Sequence, residues 1–299
     1  MKRAVSVSLG SSARDKQVIV TLGGEQVGIE RIGTDGDVAR ARQLFAELDG
    51  QVDALGVGGV DLYLRLDVRE YPLHAALKLV QDVRQTPVVD GRGLKHTLER
   101  RVFELLEPLP DDASHFRSAF IPVAIDRLGL AQAVAEVSDE LVLGDLMVAL
   151  EVPIPVKGMA NFRRLARIML PFVSHFPMSM LFYGSGGDEP TPKYRRFFER
   201  ADLLAGDFLF MRKHMPDDLT GKSVITNTTT PENVELLRSR GVKLMVTTTP
   251  RYEGRSFGTN MMEAALTAYA GKGRPLSDDE LNELIDELDL RPALQRLDA

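Results

Sequence analysis

The feature that most restricts this chain's fold is the repeated pairing, beyond residue 118, of a short apolar run with a helical pattern. Phe120–Ile125, Leu141–Leu143, Met178–Tyr183, Leu203–Leu209, Ser223–Asn227 and Lys243–Thr248 read as strands, because apolar runs of this length without alternation fit strands covered on both faces. Helical periodicity separates most of them, most clearly at Pro231–Arg240 and Asn260–Tyr269. Strands alternating with helices require crossover connections, so the expected sheet is mostly parallel and doubly wound, of the Rossmann-like kind. Glu140–Asp145 also resembles Asp202–Asp207 closely enough to suggest equivalent strands.

The first hundred residues follow another pattern. Alternating runs at Ala4–Leu9, Gln17–Leu22 and Gln26–Ile32, separated by Ser-Ser and Gly-Gly turns, predict an antiparallel meander. After it the pattern predicts a helix over 38–48, strands over 52–56 and 62–68, a helix over 73–83, a strand over 87–89 and a helix over 94–106. The expected class is therefore α/β, with an N-terminal mixed-sheet α/β domain at 1–106 and a Rossmann-like domain at 118–275. A linker at 107–117, rich in Pro and Asp, separates them. The tail at 276–299 carries Ser277 and Glu280 as a capping box, with Leu281, Leu284, Ile285 and Leu288 on one face. That face suits docking onto the same chain or onto a second copy in a homodimer.

Composition narrows the function classes. A formal charge of −6 over 299 residues argues against a protein that tracks nucleic-acid phosphates, work that normally needs a basic excess. With no cysteine there is no disulfide, thiolate metal site or Cys nucleophile, which fits a reducing, cytoplasmic setting. The start, Met1-Lys2-Arg3-Ala4, passes into strand alternation too early for the apolar core of a signal peptide. The longest apolar stretch, 168–183, is interrupted by Pro171, Ser174, His175 and Pro177, so no transmembrane span is expected. Arg163, Arg164 and Arg167 leave peripheral contact with anionic lipid as the alternative to a solvated basic face.

Small polar residues gather where strands end. Val224–Asn233 is a strand that runs into Asn227, Thr228, Thr229 and Thr230 before a helix opening at Pro231. In open α/β sheets such tips bind ligands, because free amides and a helix dipole meet there. The competing reading makes Thr230 a helix cap and the other threonines ordinary strand residues. Thr247 and Thr248 end the next strand, and the following 254–260 segment offers Arg255, Ser256, Thr259 and Asn260 as an anion cradle or as a turn with a cap. Gly184, Gly186 and Gly187 form a glycine-rich turn that could pass under a pyrophosphate, although the third glycine of G-x-G-x-x-G is misplaced and Asp188 and Glu189 follow. Gly56–Gly59 falls short of that fingerprint in the same way. In the first domain Asp90 and Lys95 flank a strand-to-helix turn and could pass a proton between them; a capping Asp beside a surface Lys is the plainer reading. The five histidines show no ligand spacing, so no metal site is expected.

Val5–Ser12, Gly91–Arg100, Ile225–Thr230 and Gly254–Asn260 together resemble a bacterial family catalogued as quinate 5-dehydrogenase. The resemblance spans most of the chain and implies NAD- or NADP-dependent oxidation of a cyclic polyol acid, with a substrate domain followed by a cofactor domain. It supplies no residue roles: Lys95 and Asp90 as the proton pair, and the tips at Asn227 and Thr247 as the dinucleotide grip, rest on residue type and setting. The alternatives are a nucleotide-binding or phosphoryl-transfer protein using the Ser8–Ser12 turn, and a non-enzymatic protein that binds a small-molecule ligand.

Overall fold

Two adjacent glycines explain the first departure from that pattern. In the computed structural model, which describes residues 1–106, 109–110, 113–181, 193–252 and 255–298, Gly23 and Gly24 have φ of 53° and 84°. Two consecutive positive φ values are the requirement of the tight two-residue hairpin turn, so β2 (Lys16–Leu22) pairs antiparallel with β3 (Glu25–Gly33). The segment between β1 (Lys2–Ser8) and β2 is longer, contains a single 3₁₀ turn at Ser12–Arg14, and does not reverse beside β1. It crosses the end of β3, and β3 pairs with β1 in parallel. The meander expectation is thus corrected to one hairpin whose second strand lies parallel to β1.

Gly33 is what permits the crossing. A Cβ there would stand 2.7 Å from the backbone of Ser11 and Ser12. Asp15 Oδ1 fastens the loop by accepting from the Gly33 amide at 2.7 Å and from Arg31 Nη1 at 2.6 Å. Because the clash is with backbone, Gly33→Ala is expected to cost about 1–3 kcal/mol, read as a lower urea midpoint with unchanged slope. An unchanged midpoint would show that the loop yields freely.

The chain divides into two compact units that are not consecutive in sequence. The first comprises Met1–Leu94, Ile168–Gly187 and Gly258–Asp289; the second comprises Lys95–Arg167, Asp188–Phe257 and Leu290–Ala299. The expected linker at 107–117 falls inside the second unit, and most of the expected tail belongs to the first. Which segments share a core depends on long-range strand pairing, and the composition of 107–117 does not report it.

In the first unit the sheet order is β2-β3-β1-β4-β7, with β4 at Ala54–Gly58 and β7 at Val88–Val89, and β1, β3, β4 and β7 all parallel. Gly56 and Gly58 lie within β4 rather than in a turn after it. A Cβ at Gly56 would meet the Asn260 carbonyl at 2.9 Å, so the missing side chain lets the helix Thr259–Ala270 press onto the strand. That helix is buried at nearly every position and uses small residues, Ala264, Ala265 and Ala268, to approach the sheet. The run expected as one strand over 62–68 is a hairpin, β5 (Tyr63–Leu66) with β6 (Arg69–Pro72), turned at Asp67 with φ of 53°. The tail helix Asp278–Glu287 begins with the expected reciprocal cap between Ser277 and Glu280, and buries Leu281 and Ile285.

The second unit holds the doubly wound sheet. Its order is β10-β9-β8-β11-β12-β13-β16, from β8 (Phe116–Ile121), β9 (Ser138–Leu143), β10 (Val156–Lys157), β11 (Leu203–Ala205), β12 (Ser223–Thr226), β13 (Leu244–Thr247) and β16 (Ala293–Arg296). The five inner strands are parallel, and β10 and β16 close the edges antiparallel. A short pair, β14 (Arg251–Tyr252) with β15 (Arg255–Ser256), stands apart from it. β11, β12 and β13 are buried at every position, as a sheet covered on both faces requires. The protein is thus an α/β fold with one mixed and one mostly parallel sheet.

Several expected boundaries move. The run expected as a strand over 178–183 forms a helical turn at Met178–Leu181, and its last two residues lie outside the described ones. The strand expected over 203–209 stops at Ala205, because Asp207 caps the helix Phe208–His214 through its side chain. The helix expected over 94–106 reduces to Arg92–His96 and a 3₁₀ turn at Glu104–Leu106. Most of the apolar stretch 168–183 lies on the helix Gly158–Val173 and the turns after it, and among the described residues no helix is long and apolar enough to cross a membrane.

Candidate functional site

Strand order selects the place to look. In the second unit the chain winds from β8 outward to β9, then returns past β8 to β11, so the winding reverses between β8 and β11. At such a switch point the loops leaving the two C-terminal ends diverge and leave a crevice, where open α/β sheets take ligands. Beyond β8 the chain reads Pro122-Val-Ala-Ile-Asp126-Arg127. Beyond β9 and β11 it reads Gly144-Asp145 and Gly206-Asp207, so the resemblance between those segments marks equivalent strands flanking β8.

A charged network fills this edge. Arg127 Nη2 donates to Asp207 Oδ2 at 3.1 Å, joining the tips of β8 and β11, while Nη1 donates to Glu99 Oε1 at 2.5 Å. Asn227 Nδ2 donates to the same Asp207 oxygen at 3.0 Å, and Thr248 Oγ1 to Glu99 Oε1 at 3.1 Å. The network thus runs from β13 through Glu99 and Arg127 to the tips of β11 and β12. Glu99 is 0% exposed and Arg127 3%. The Asp126 carboxylate lies 3.7 Å from Arg127 Nε and keeps 21% of its side chain exposed, at the rim. Lys95 is buried and acts electrostatically on both Glu99 and Asp126. Gly129 makes room for this segment, since any Cβ there would collide with the Lys95 carbonyl.

Negative groups outnumber positive ones. Glu99, Asp126, Asp145 and Asp207 face Lys95 and Arg127, and burial pushes the Glu99 and Asp126 carboxyls upward against the pull of the two cations. Asp145 accepts from the amides of Ala124 and Ile125 through Oδ1, and burial raises its pKa to about 7. Glu99 Oε2, Asp126 Oδ1 and Asp145 Oδ2 are buried without a hydrogen-bond partner among the described residues. Such oxygens are costly to leave unpaired. A ligand that donates hydroxyl hydrogens would relieve them, and Asp145 near neutrality is suited to proton exchange. Among the described residues no three carboxylates or histidines are arranged to hold a metal ion.

The residues expected from sequence divide into groups. Asn227 and Thr248 belong to the network as described. Thr247 is buried, with its hydroxyl unpartnered among the described residues, and Thr228 is half-buried. Thr229 and Ser256 satisfy each other, the Thr229 amide donating to Ser256 Oγ at 2.8 Å. Thr259 and Asn260 lie in the first unit, where Asn260 Nδ2 donates to Ser6 Oγ at 2.6 Å, so the 254–260 segment is not gathered into one cradle within either unit. Asp90 also lies in the first unit, and its carboxylate is taken up by the amides of Leu62 at 2.8 Å and Arg92 at 3.1 Å. It holds a turn, while Lys95 belongs to the second unit. Gly184, Gly186, Gly187 and the Arg255 side chain lie outside the described residues.

Sequence reasoning missed Glu99, Asp126, Arg127 and Asp145. The repeated Gly-Asp after β9 and β11 carried a signal for two strand tips, but extending the β8 strand to Ile125 hid the tip at Asp126. A dinucleotide fits this edge poorly. The turn after β8 contains no glycine to let a pyrophosphate approach, and the surplus of carboxylates would repel it.

Comparison with known proteins divides the chain near residue 91, with residues 168–187 and 258–289 of the first unit falling inside the longer match. The family model described as "Domain of unknown function (DUF8754)" matches residues 93–297. The chain belongs to that family. A second model, "Domain of unknown function (DUF8753)", matches residues 3–90. No curated protein matches. Solved structures similar to the chain include a sugar ABC transport system substrate-binding protein from Bordetella parapertussis, at 10% identity and a TM-score of 0.35, covering 93% of this chain and 82% of that one. Two structures from Mycobacterium smegmatis are also similar. One has 11% identity, a TM-score of 0.31 and coverage of 99% and 91%. The other, in complex with β-D-fucofuranose, has 10% identity, a TM-score of 0.33 and coverage of 99% of each chain.

Proposed function

We propose that this protein binds a polyhydroxylated small molecule at the C-terminal edge of the second unit's sheet, with Lys95, Asp126, Arg127 and Asp207 as its contacts. The observation that carries this reading is the set of buried, unpartnered carboxylate oxygens on Glu99, Asp126 and Asp145 beside a guanidinium that joins the tips of β8 and β11. Ring hydroxyls both donate and accept, so one polyol can give hydrogens to the carboxylates and take them from Arg127 and Lys95. The negative surplus favours an uncharged or singly charged ligand over a phosphate ester. The cyclic polyol class implied by the quinate dehydrogenase resemblance meets that demand. Oxidation of such a ring with NAD or NADP is the activity the resemblance implies, and at this edge the chain's own contribution to it is proton exchange at Asp145.

A thermal-shift panel of quinate, inositol, common monosaccharides, NAD and NADP tests the reading. A ligand present at about 100 times its Kd stabilises the native state by about 2.7 kcal/mol, which raises Tm by several degrees. At least one polyol is expected to do so, and Asp126→Asn to abolish the shift. A panel in which no polyol shifts Tm would overturn the proposal. Stabilisation by NAD or NADP that survives Asp126→Asn would favour the dehydrogenase with a dinucleotide site elsewhere.

A further inference from the structure

The loop joining β1 to β2 in the first unit carries a second charged cluster, built from other residues. Arg31 rises from β3 beneath this loop with 11% of its side chain exposed. Its Nη1 donates to the Ser11 carbonyl at 2.9 Å and to Asp15 Oδ1 at 2.6 Å. Its Nη2 is buried with no hydrogen-bond partner among the described residues. Arg14, an exposed residue on the same loop, folds back to the same point. A Cβ placed on Gly10 would collide with Arg14 Nη2 and stand 3.1 Å from Arg31 Nη2.

Two guanidinium groups meeting above one glycine repel each other, and Arg14 has solvent open to it as an alternative. Burial and then the neighbouring Arg14 pull the Arg31 pKa down, against the opposing pull of Asp15 and Asp35. The carboxylates facing the cluster are already engaged. Asp15 accepts from Arg31 and the Gly33 amide, and Asp35 is held below the usual carboxylate range by the hydroxyl and amide of Ser12. Neither accounts for the buried Nη2.

We propose that a phosphate group, free or carried as a monoester, sits over Gly10 between Arg14 and Arg31. The Arg14 fork and the unpartnered Arg31 Nη2 beside it match the oxygens of a phosphate. This site is independent of the polyol site, and its anion chemistry is the opposite of the carboxylate surplus there.

Thermal unfolding in inorganic phosphate against sodium chloride of matched ionic strength tests it. At about 10 mM phosphate, a Kd of about 1 mM would raise Tm by about 3 °C. Arg14→Ala, at an exposed position, is expected to keep the unliganded Tm and lose the shift, and Arg14→Lys to retain part of it. No shift beyond chloride, or a shift undiminished in Arg14→Ala, would overturn the proposal. Glucose 6-phosphate titrated alongside separates the two sources: tighter binding than inorganic phosphate assigns a carried monoester, equal or weaker binding the free ion.

Discussion

Glu263→Gln is expected to raise the stability of this protein at about pH 8.5 by several kcal/mol and to leave it almost unchanged near pH 4.5. Glu263 sits on the buried helix Thr259–Ala270 with 4% exposure, and its Oε2 accepts from the Leu94 amide at 3.3 Å. Burial, and then the nearby Asp90 charge, push its pKa up to about 8. The folded chain therefore keeps a proton that the unfolded chain releases near pH 4.5. Between those two values the unfolded state binds fewer protons, so stability falls as pH rises, by about 1.4 kcal/mol per unit and about 4–5 kcal/mol in all. Gln preserves the acceptor for the Leu94 amide and has no charge to bury. Urea titrations at several pH values would show the wild-type slope and its loss in the variant; parallel profiles would refute the assignment. Asp145, with its pKa near 7, adds a second contribution of the same sign over a narrower window.

Arg127→Met is expected to be the most damaging single change in the second unit, costing about 3–5 kcal/mol near neutral pH. The methionine would fill much of the volume, but Glu99, at 0% exposure, would lose the guanidinium it touches and be left with only Lys95 and the Thr248 hydroxyl to offset its burial. Adding Glu99→Gln should recover part of the loss, because an amide needs no counter-ion. The coupling in a double-mutant cycle separates this from simple cavity formation. Strict additivity, or a single variant as stable as wild type, would mean that the network carries little of the stability.

Much of the layout is legible from local pattern. The apolar runs of β12 and β13, the Pro231 and Ser277 helix starts and the Gly23-Gly24 hairpin all follow from residues within one turn of each other. Glu99 and Lys95 are the opposite case. In a pattern that suggests a helix over 94–106 they look like solvated charges, and only the long-range pairing that buries them reveals their role. Asp90 misled for the same reason, since its partners, the amides of Leu62 and Tyr63, are remote in sequence. The parallel pairing of β3 with β1 was also hidden, because alternation specifies a strand and its exposed face but not its neighbour.

The interleaving of the two units has a consequence for synthesis on the ribosome. β1 to β7 emerge early, yet the helix Thr259–Ala270 that packs onto their sheet is translated about 10–30 s later at ordinary elongation rates, after most of the other unit has left the exit tunnel. Until then the strand face that carries Ser6 and Gly56 lacks the cover that this helix provides in the finished fold. Nascent chains halted before residue 259 should therefore engage holdase chaperones, and release to a native state should wait until residues 259–270 have emerged.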